Sequence, residues 1–417
     1  MRVKQIQFNS FRGIAPQTIE FEENQPTVFI GVNGSGKSSI LDCLAIMLSW
    51  LTSKIRNQSR KGDFFKDEDI TNDYQKTINQ IIISSKDNET TTWSVTHTRE
   101  EIEKQSSVDD SQLKELARSI QTKLYNSIES VPIFVYYPTN RAVFDIPLNI
   151  PKAQQKFGRK DIYNHPLIDR RIAFEDFFQW FRLREDEENE LRLNQNSDYQ
   201  DRQLKTIRAA IENFLDGFVN LRIRRTPPLR MTIEKNGKIL SINQLSDGEK
   251  CLLAMVGDLA RRLAIANPNL DNALIGQGII LIDEIELHLH PKWQHSIVKK
   301  FQEIFPNCQF IITTHSPQVI TNIEWVYLLR DTELGMVCER VRSYGKDINR
   351  ILETLMDTPE RQINIQHELT QLFALIDAGN LQEARQLRQT ISDCLQEEDP
   401  KLVRADWLIR RKEILKR

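Results

Sequence analysis

The segment Gly31-Val32-Asn33-Gly34-Ser35-Gly36-Lys37-Ser38 matches G-x-x-x-x-G-K-[ST] at every fixed position, and no other stretch constrains the fold as tightly. Ahead of it, Val28-Phe29-Ile30 predicts the end of a buried strand. Behind it, residues 39–48 carry apolar side chains at three-four spacing, which predicts a helix. A Gly-rich turn from strand to helix aims backbone N–H groups and the helix N-terminus at phosphate. In that setting Asn33, Gly34, Ser35, Gly36, Lys37, Ser38 and Ser39 would bind ATP. Lys37 would reach the β and γ phosphates and the Ser38 hydroxyl would ligate Mg²⁺. Without its flanks, the same string is also what a Gly/Ser turn produces by chance.

A second element follows much later in the chain. Gly278-Ile279-Ile280-Leu281-Ile282 is an unbroken apolar run ending in Asp283-Glu284, the pattern of a parallel strand covered on both faces. Ligands gather at the carboxyl ends of such strands. Asp283 would hold Mg²⁺, directly or through water, and Glu284 would poise a water against the γ-phosphate as general base. An acidic cap on the next helix is the other reading of these two carboxylates.

Leu245-Ser246-Asp247-Gly248-Glu249-Lys250 opens an apolar helical run, residues 252–260. It resembles the signature motif of ABC-type ATPases, usually Leu-Ser-Gly-Gly-Gln or Leu-Ser-Gly-Gly-Glu. Asp247 departs from that pattern at the first glycine, and its carboxylate must point away from a polyanion or weaken the motif. The resemblance implies that Ser246 and Gly248 bind the γ-phosphate held by a second subunit, so that ATP is sandwiched in a homodimer or higher homo-oligomer. The same segment also satisfies the Ser-x-x-Glu capping box of an ordinary helix start. Downstream, Gln309-Phe310-Ile311-Ile312-Thr313-Thr314-His315-Ser316 is a strand whose end is similar to the family's switch region, which makes His315 the γ-phosphate contact. Glu286-Leu287-His288-Leu289-His290-Pro291 occupies the place of the loop that crosses the dimer interface. His288 and His290 could also be read as metal ligands, although no Cys or third His is near.

Ile6 to Ile14 resembles the opening hairpin of RecF-like, SMC-like and OLD-like heads. Leu289 to Gln294, Thr313 to Gln318, Tyr136 to Arg141, Trp180 to Leu183 and Tyr344 to Asn349 are similar to short-insert ATPases of prokaryotic defence systems, the Septu ATPases above all. The fold class expected is α/β: an ABC-type, SMC/RecF-like P-loop ATPase head with a helical insertion and a helical C-terminal tail. The resemblance implies an antiviral ATPase beside a separate HNH nuclease, attached in some members to a retron. A RecF-like DNA-binding repair ATPase and a nucleotide-sensing scaffold with little hydrolysis are the alternatives.

Composition limits these readings. With 56 basic and 58 acidic residues among 417, the net charge is −2, which excludes a globally basic DNA-coating protein but leaves room for a local DNA groove. Basic clusters stand at Arg222, Arg224, Arg225 and Arg230, at Arg170 and Arg171, and at Arg410, Arg411, Lys412, Lys416 and Arg417. The five cysteines are dispersed with no C-x-x-C pair, against both a disulfide framework and a zinc site. The N-terminus alternates like a strand with no leader core, and no run of 18 apolar residues occurs, so a cytoplasmic protein with no membrane span is expected. The seven histidines offer no His-Asn-His constellation, so any DNA cutting belongs to a partner.

By chain order, residues 1–48 plus 78–136 read as one ATPase lobe with a polar insert at 49–77. Residues 137–218 read as a mainly helical insertion, in which Phe174, Phe177, Phe178 and Phe181 share one packed face and the acidic run 185–190 is a solvated turn. Residues 219–343 read as the second lobe. Residues 344–417 read as a helical tail whose Leu369, Leu372, Phe373 and Ile376 leave an apolar stripe for partner docking or for packing on the head. Gln80 is the candidate for the glutamine that couples nucleotide state to the first lobe, and Arg141 a candidate for reaching nucleotide or DNA.

Overall fold

In the computed structural model, which describes residues 1–85, 89–99, 106–126, 129–140, 158–163, 167, 174–194, 197–356, 358, 363–395 and 399–415, the glycine-rich loop leaves the middle of a six-stranded sheet. With elements numbered in chain order, the sheet runs β14 (Gly335–Arg342), β13 (Trp325–Thr332), β3 (Thr27–Ile30), β12 (Cys308–Thr313), β11 (Gly278–Ile282) and β7 (Ile133–Tyr137). Neighbours from β13 to β7 are parallel, and the β13–β14 hairpin is antiparallel. Every residue of β3, β11 and β12 is buried, which explains their unbroken apolar runs. Parallel neighbours require crossovers. These are supplied by α1 (Lys37–Arg56) after β3, by α6 (Pro291–Gln294) and α7 (Ile297–Ile304) between β11 and β12, and by α8 (Pro317–Ile320) before β13. Ile282 pairs with both Tyr137 and Ile312, so three strands deliver their carboxyl ends at one level.

This sheet corrects the partition by chain order. Strands β3 and β7 come from the first third of the chain, yet they share the sheet of β11 to β14. The first third's own sheet is antiparallel: β2 (Gln17–Glu20), β1 (Arg2–Phe8), β4 (Lys76–Ser84), β5 (Thr90–Thr98) and β6 (Ser107–Asp109). The segment from 49 is no polar insert at its start, because α1 continues to Arg56 and buries Trp50, Leu51 and Ile55. Helix α2 (Ser111–Tyr125) packs on α1 and β5. Helix α1 is long and apolar enough to cross a membrane by composition, but 78% of its apolar window is buried, which makes it a core helix.

A three-stranded sheet, β10 (Lys238–Ser241), β9 (Arg230–Lys235) and β8 (Phe218–Arg224), leads into α5 (Asp247–Ala266). Against α5 lie α3 (Phe174–Asn194) and α4 (Arg202–Phe214). Phe177, Phe178 and Phe181 are buried there, and a Cβ on Gly257 of α5 would fall 2.9 Å from the Phe177 ring. The acidic run is not the solvated turn expected: Glu185 and Glu188 are buried. Arg208 reaches them at 3.0 and 3.1 Å, and Arg225 reaches Glu185 at 3.0 Å. Buried carboxylates persist only when paired in this way, so Arg225 is structural although it is exposed at the surface, as Arg222 and Arg224 are. Arg141, Arg170, Arg171, Lys416 and Arg417 lie outside the described residues.

Lys346–Arg417 forms a second compact unit of its own. It contains α9 (Ile348–Leu355), α10 (Ile363–Ala378), α11 (Leu381–Leu395) and α12 (Pro400–Leu415). The expected open stripe is closed inside this unit: Leu369, Leu372 and Ile376 pack with Ala384, Ile391, Leu402, Ala405 and Ile409, and Phe373 lies partly buried against them. The two helices legible in the pattern are joined by a third, α12, whose outward side leaves Val403, Trp407 and Ile414 exposed.

Candidate nucleotide site

Between Ile30 and Lys37 the backbone turns through glycine conformations, with φ of 153° at Gly31, 81° at Gly34 and 78° at Gly36. A Cβ on Gly31 would also lie 2.6 Å from Ser35 Oγ and 2.9 Å from the Leu329 carbonyl oxygen. Asn33 and Gly34 are exposed at the crest of the loop, Ser35 is buried beneath it, and Ser38 and Ser39 fall in the first turn of α1. Lys37 Nζ donates to the carbonyls of Gly31 (3.0 Å) and Val32 (2.9 Å) and to Ser35 Oγ (3.3 Å). Burial lowers its pKa to about 8, against the opposing pull of Glu284, Asp283 and Glu286.

Asp283 follows directly from β11, is buried, and donates its N–H to the Tyr137 carbonyl at 2.9 Å. Its Oδ1 accepts from Ser38 Oγ at 3.1 Å and from Thr313 Oγ1 at 2.5 Å. Thr313 Oγ1 accepts the N–H of Glu284 at 2.7 Å, and Glu284 itself sits at φ 45°, unusual for a side chain with a Cβ. Glu286 accepts from Thr314 Oγ1 at 2.7 Å and from the His315 N–H at 2.5 Å. Burial, with Lys37 adding to it, lowers the His315 pKa below its ordinary value despite the carboxylates nearby, which keeps the imidazole neutral near pH 7. The loop, Lys37, Ser38, Asp283, Glu284 and His315 therefore converge on one place.

The donor set fits Mg²⁺. A serine hydroxyl and a carboxylate oxygen meet at the N-terminus of α1, and Mg²⁺ takes only one or two protein oxygens beside phosphate and water. No cluster of three or more His, Cys, Asp or Glu that could hold a metal occurs among the described residues. The histidine pair does not read as a metal site either: His288 is exposed, and His290 Nδ1 accepts the Lys292 N–H at 3.2 Å to cap α6.

Ser246 and Gly248 stand apart from this group. Ser246 caps α5 by accepting the Glu249 N–H at 3.4 Å, while Glu249 accepts the Ser246 N–H at 3.0 Å, so the capping box is real. Burial would raise the Glu249 carboxyl, but Lys235 at 2.6 Å and the Ser246 N–H outweigh it and lower the pKa. Asp247 is exposed and turned toward Lys250 at 3.3 Å. A Cβ on Gly248 would lie 2.4 Å from the His288 carbonyl oxygen, so the segment after Glu286 crosses directly over the signature turn. Ser246, Gly248, His288, His290 and Trp293 line one open surface cleft. The hydrogen bonds of Ser246 close within its own turn, and none reaches Lys37, Asp283 or Thr313.

Thr313, Glu286 and Tyr137 were seen in the sequence only as parts of resembling segments, with no role of their own. The signal for Thr313 was a hydroxyl closing the apolar run Phe310-Ile311-Ile312. Gln80 lies mid-strand in β4, paired with Gln7 and Ser94, and takes no part in the hydrogen bonds of the site.

Residues 27–321 match the family model described as "AAA domain, putative AbiEii toxin, Type IV TA system". The chain is 32% identical over 423 residues to the Retron Vc95 probable ATPase of Vibrio cholerae serotype O1 biovar El Tor, covering 89% of this chain and 82% of that one. It is 29% identical to the Retron Ec83 probable ATPase of Escherichia coli, covering 87% and 77%. A shorter stretch of 76 residues is 41% identical to the Septu protein PtuA of Bacillus mycoides, covering 18% and 10%. Among solved structures, an SMC head bound to the C-winged helix domain of ScpA superposes with a TM-score of 0.50 at 15% identity, over 82% of this chain and 98% of that one. The fold is that of an SMC-type ATPase head.

Proposed function

This chain belongs to the AAA-domain family that includes the retron ATPases, and from that premise we propose that it is the ATP-hydrolysing subunit of a cytoplasmic antiviral defence complex, dimerising around ATP and Mg²⁺ and controlling a separate HNH-type nuclease. The observation that carries the proposal is the convergence of Ser38 and Thr313 on Asp283 Oδ1, with Glu284 fixed beside it. The loop N–H groups and Lys37 bind the phosphates. Ser38 and Asp283 would hold Mg²⁺, which when bound neutralises phosphate charge and orients the chain of phosphates. Glu284 accepts the proton of the water that attacks the γ-phosphorus, and the bond to the β-phosphate oxygen breaks to release ADP. A general base of this kind contributes about 10²–10⁴-fold. Neutral His315 donates a hydrogen bond to the γ-phosphate.

The exposed cleft around Ser246 supports a composite site. The N-terminus of α5 favours an anion, and that turn makes no hydrogen bond to the phosphate loop of its own chain. A second copy would present its nucleotide there, across the segment that begins at His288. For the nuclease, the Lys346–Arg417 unit has its own core and leaves the face of Val403, Trp407 and Ile414 uncovered. Arg411 lies over the Trp407 ring at 5.7 Å. We assign that face to the partner.

Phosphate release by the purified chain with Mg²⁺ and ATP, compared with Glu284→Gln, tests the activity. Equal rates in the two proteins would overturn the assignment.

A further inference from the structure

Strand β7 ends in two tyrosines, and successive residues of a strand point to opposite faces. The Tyr136 hydroxyl donates to Asp42 Oδ1 at 3.0 Å, on α1, the helix that begins with Lys37. The Tyr137 hydroxyl donates to Asp258 Oδ2 at 3.0 Å, on α5, the helix that begins after Ser246. Between these two bonds the Tyr137 carbonyl accepts the N–H of Asp283 at 2.9 Å. One residue thus touches both the signature helix and the backbone N–H of Asp283, the residue that follows β11.

The tie at Asp258 is rigid. Arg261 and Arg262 donate to its two oxygens at 2.7 and 2.8 Å, and Arg262 also donates to the Ile162 carbonyl at 2.9 Å. Burial would raise the Asp258 carboxyl, but Arg262 and Arg261 outweigh it and hold it at about 2, so it stays charged at any working pH. Asp258 and Tyr137 are both buried, and the second acceptor within reach of the Tyr137 hydroxyl, the Met255 carbonyl at 3.4 Å, is on α5 as well, so the hydroxyl is held to that helix. A simple packing role would be met by phenylalanine. The hydroxyl aimed at a charged carboxylate is what demands another explanation.

We propose that Tyr137 is a positioning residue for hydrolysis: its hydroxyl locks the signature helix to the strand end whose carbonyl holds Asp283, so that α5 and the Asp283–Glu284 carboxylates move as one piece when two subunits close on ATP. This deepens the composite-site reading and rests on it. Tyr136 makes the matching tie to the phosphate-loop helix on the other face, so β7 is a strut with one helix fixed to each side.

The test uses the full-length chain with Tyr137→Phe, which keeps the ring and removes only the hydroxyl. Affinity for a fluorescent ATP analogue should stay within about twofold, because the phosphate loop is untouched, while kcat should fall by about tenfold or more. Asp258→Asn weakens the same bond from the other side and gives an independent reading should the first variant fold poorly. The double variant should be no slower than the slower single one, as expected of residues acting through one contact. Tyr163→Phe removes another buried tyrosine hydroxyl, one that donates to the Pro132 carbonyl at 2.7 Å, and should not reproduce that kcat loss. Wild-type kcat for Tyr137→Phe, equal kcat losses for both tyrosines, or losses that multiply in the double variant would each overturn the inference. Mixing Lys37→Ala with Ser246→Arg subunits separates it from the reading beneath it. Rescue there, with wild-type kcat for Tyr137→Phe, removes this inference alone, whereas absence of rescue removes the composite site itself.

Discussion

Thr313 holds Asp283 and Glu284 at once: its hydroxyl oxygen lies 2.5 Å from Asp283 Oδ1 and 2.7 Å from the Glu284 nitrogen. The Glu284 backbone is in a conformation that side chains with a Cβ seldom adopt, with φ 45°, and this hydrogen bond is one that keeps it there. Thr313→Val keeps the shape and removes both bonds. The variant should lose about 1–3 kcal/mol of stability, the cost of a buried group left unsatisfied, and its kcat should drop by about tenfold or more. Thr313→Ser should recover most of both. Denaturant unfolding and steady-state turnover check this, and a Val variant with wild-type kcat would show that the bond is structural only.

Glu284→Gln keeps the size of the side chain and removes its basicity. ATP binding should persist, turnover should fall by about 10²–10⁴-fold, and the ATP-bound dimer should accumulate. Size-exclusion chromatography with and without ATP reads the last effect. A variant that stays in the same oligomeric form with ATP as without it would count against closure around the nucleotide.

The parts of this site legible in the sequence were those built from local pattern. Gly31 to Ser38 is a fixed string, and β3, β11 and β12 are buried on both faces, so their apolar runs and polar ends were visible without neighbours. Thr313 was not legible as a support, since its partners lie 29 and 30 residues away and meet it only through the parallel pairing of β11 with β12. Glu185 and Glu188 looked like a solvated charge run because Arg208 and Arg225, which bury and pair them, are remote in sequence. Periodicity also showed that Leu369, Leu372 and Ile376 share a face, but it could not say what covers that face, and α12 does. Sheet membership was misread for a related reason: β7 is early in the chain and late in the sheet, and strand order is set by crossovers that leave no mark in composition.

Lys37 gives a pH dependence with a definite sign. Burial disfavours the ammonium and lowers its folded pKa to about 8, well below the ordinary lysine value. The free protein therefore loses the Lys37 proton as pH rises through 8, while the unfolded chain keeps it to about 10.4. Between these values the unfolded state binds more protons, so this group adds stability to the free fold as pH rises. A triphosphate beside Lys37 favours the charged form, so above pH 8 binding should take up a proton and weaken by up to about tenfold per pH unit. Calorimetry at pH 9 in two buffers of different ionisation enthalpy measures the uptake. Lys37→Arg should abolish it, since a guanidinium stays charged.

The cleft at Ser246 predicts a complementation result. Lys37→Ala disables the phosphate loop of its own subunit, and Ser246→Arg fills the signature turn with bulk and charge. Each variant alone should be close to inactive. Mixed, they should form dimers with one intact site, each with up to about half the activity of a wild-type dimer. Native mass spectrometry confirms that mixed dimers exist, and no recovery in their presence would rule out sharing of the site between subunits.

If the Lys346–Arg417 unit docks the nuclease as proposed, its own stability and partner binding should respond to different residues. Val403, Trp407 and Ile414 are 54%, 61% and 69% exposed on α12, whereas Leu372 is fully buried in the unit's core. A charge at Trp407 costs the isolated chain little, because its side chain already faces water, but it would be buried unpaired if this face met an apolar partner surface. Trp407→Asp in the full-length chain should leave ATP turnover and melting unchanged and reduce co-purification of the nuclease by about tenfold or more. Leu372→Asp should behave differently, unfolding the helical unit and making it sensitive to protease. If Trp407→Asp and Val403→Asp both retain the nuclease at full stoichiometry, the partner binds elsewhere and this face has another occupant.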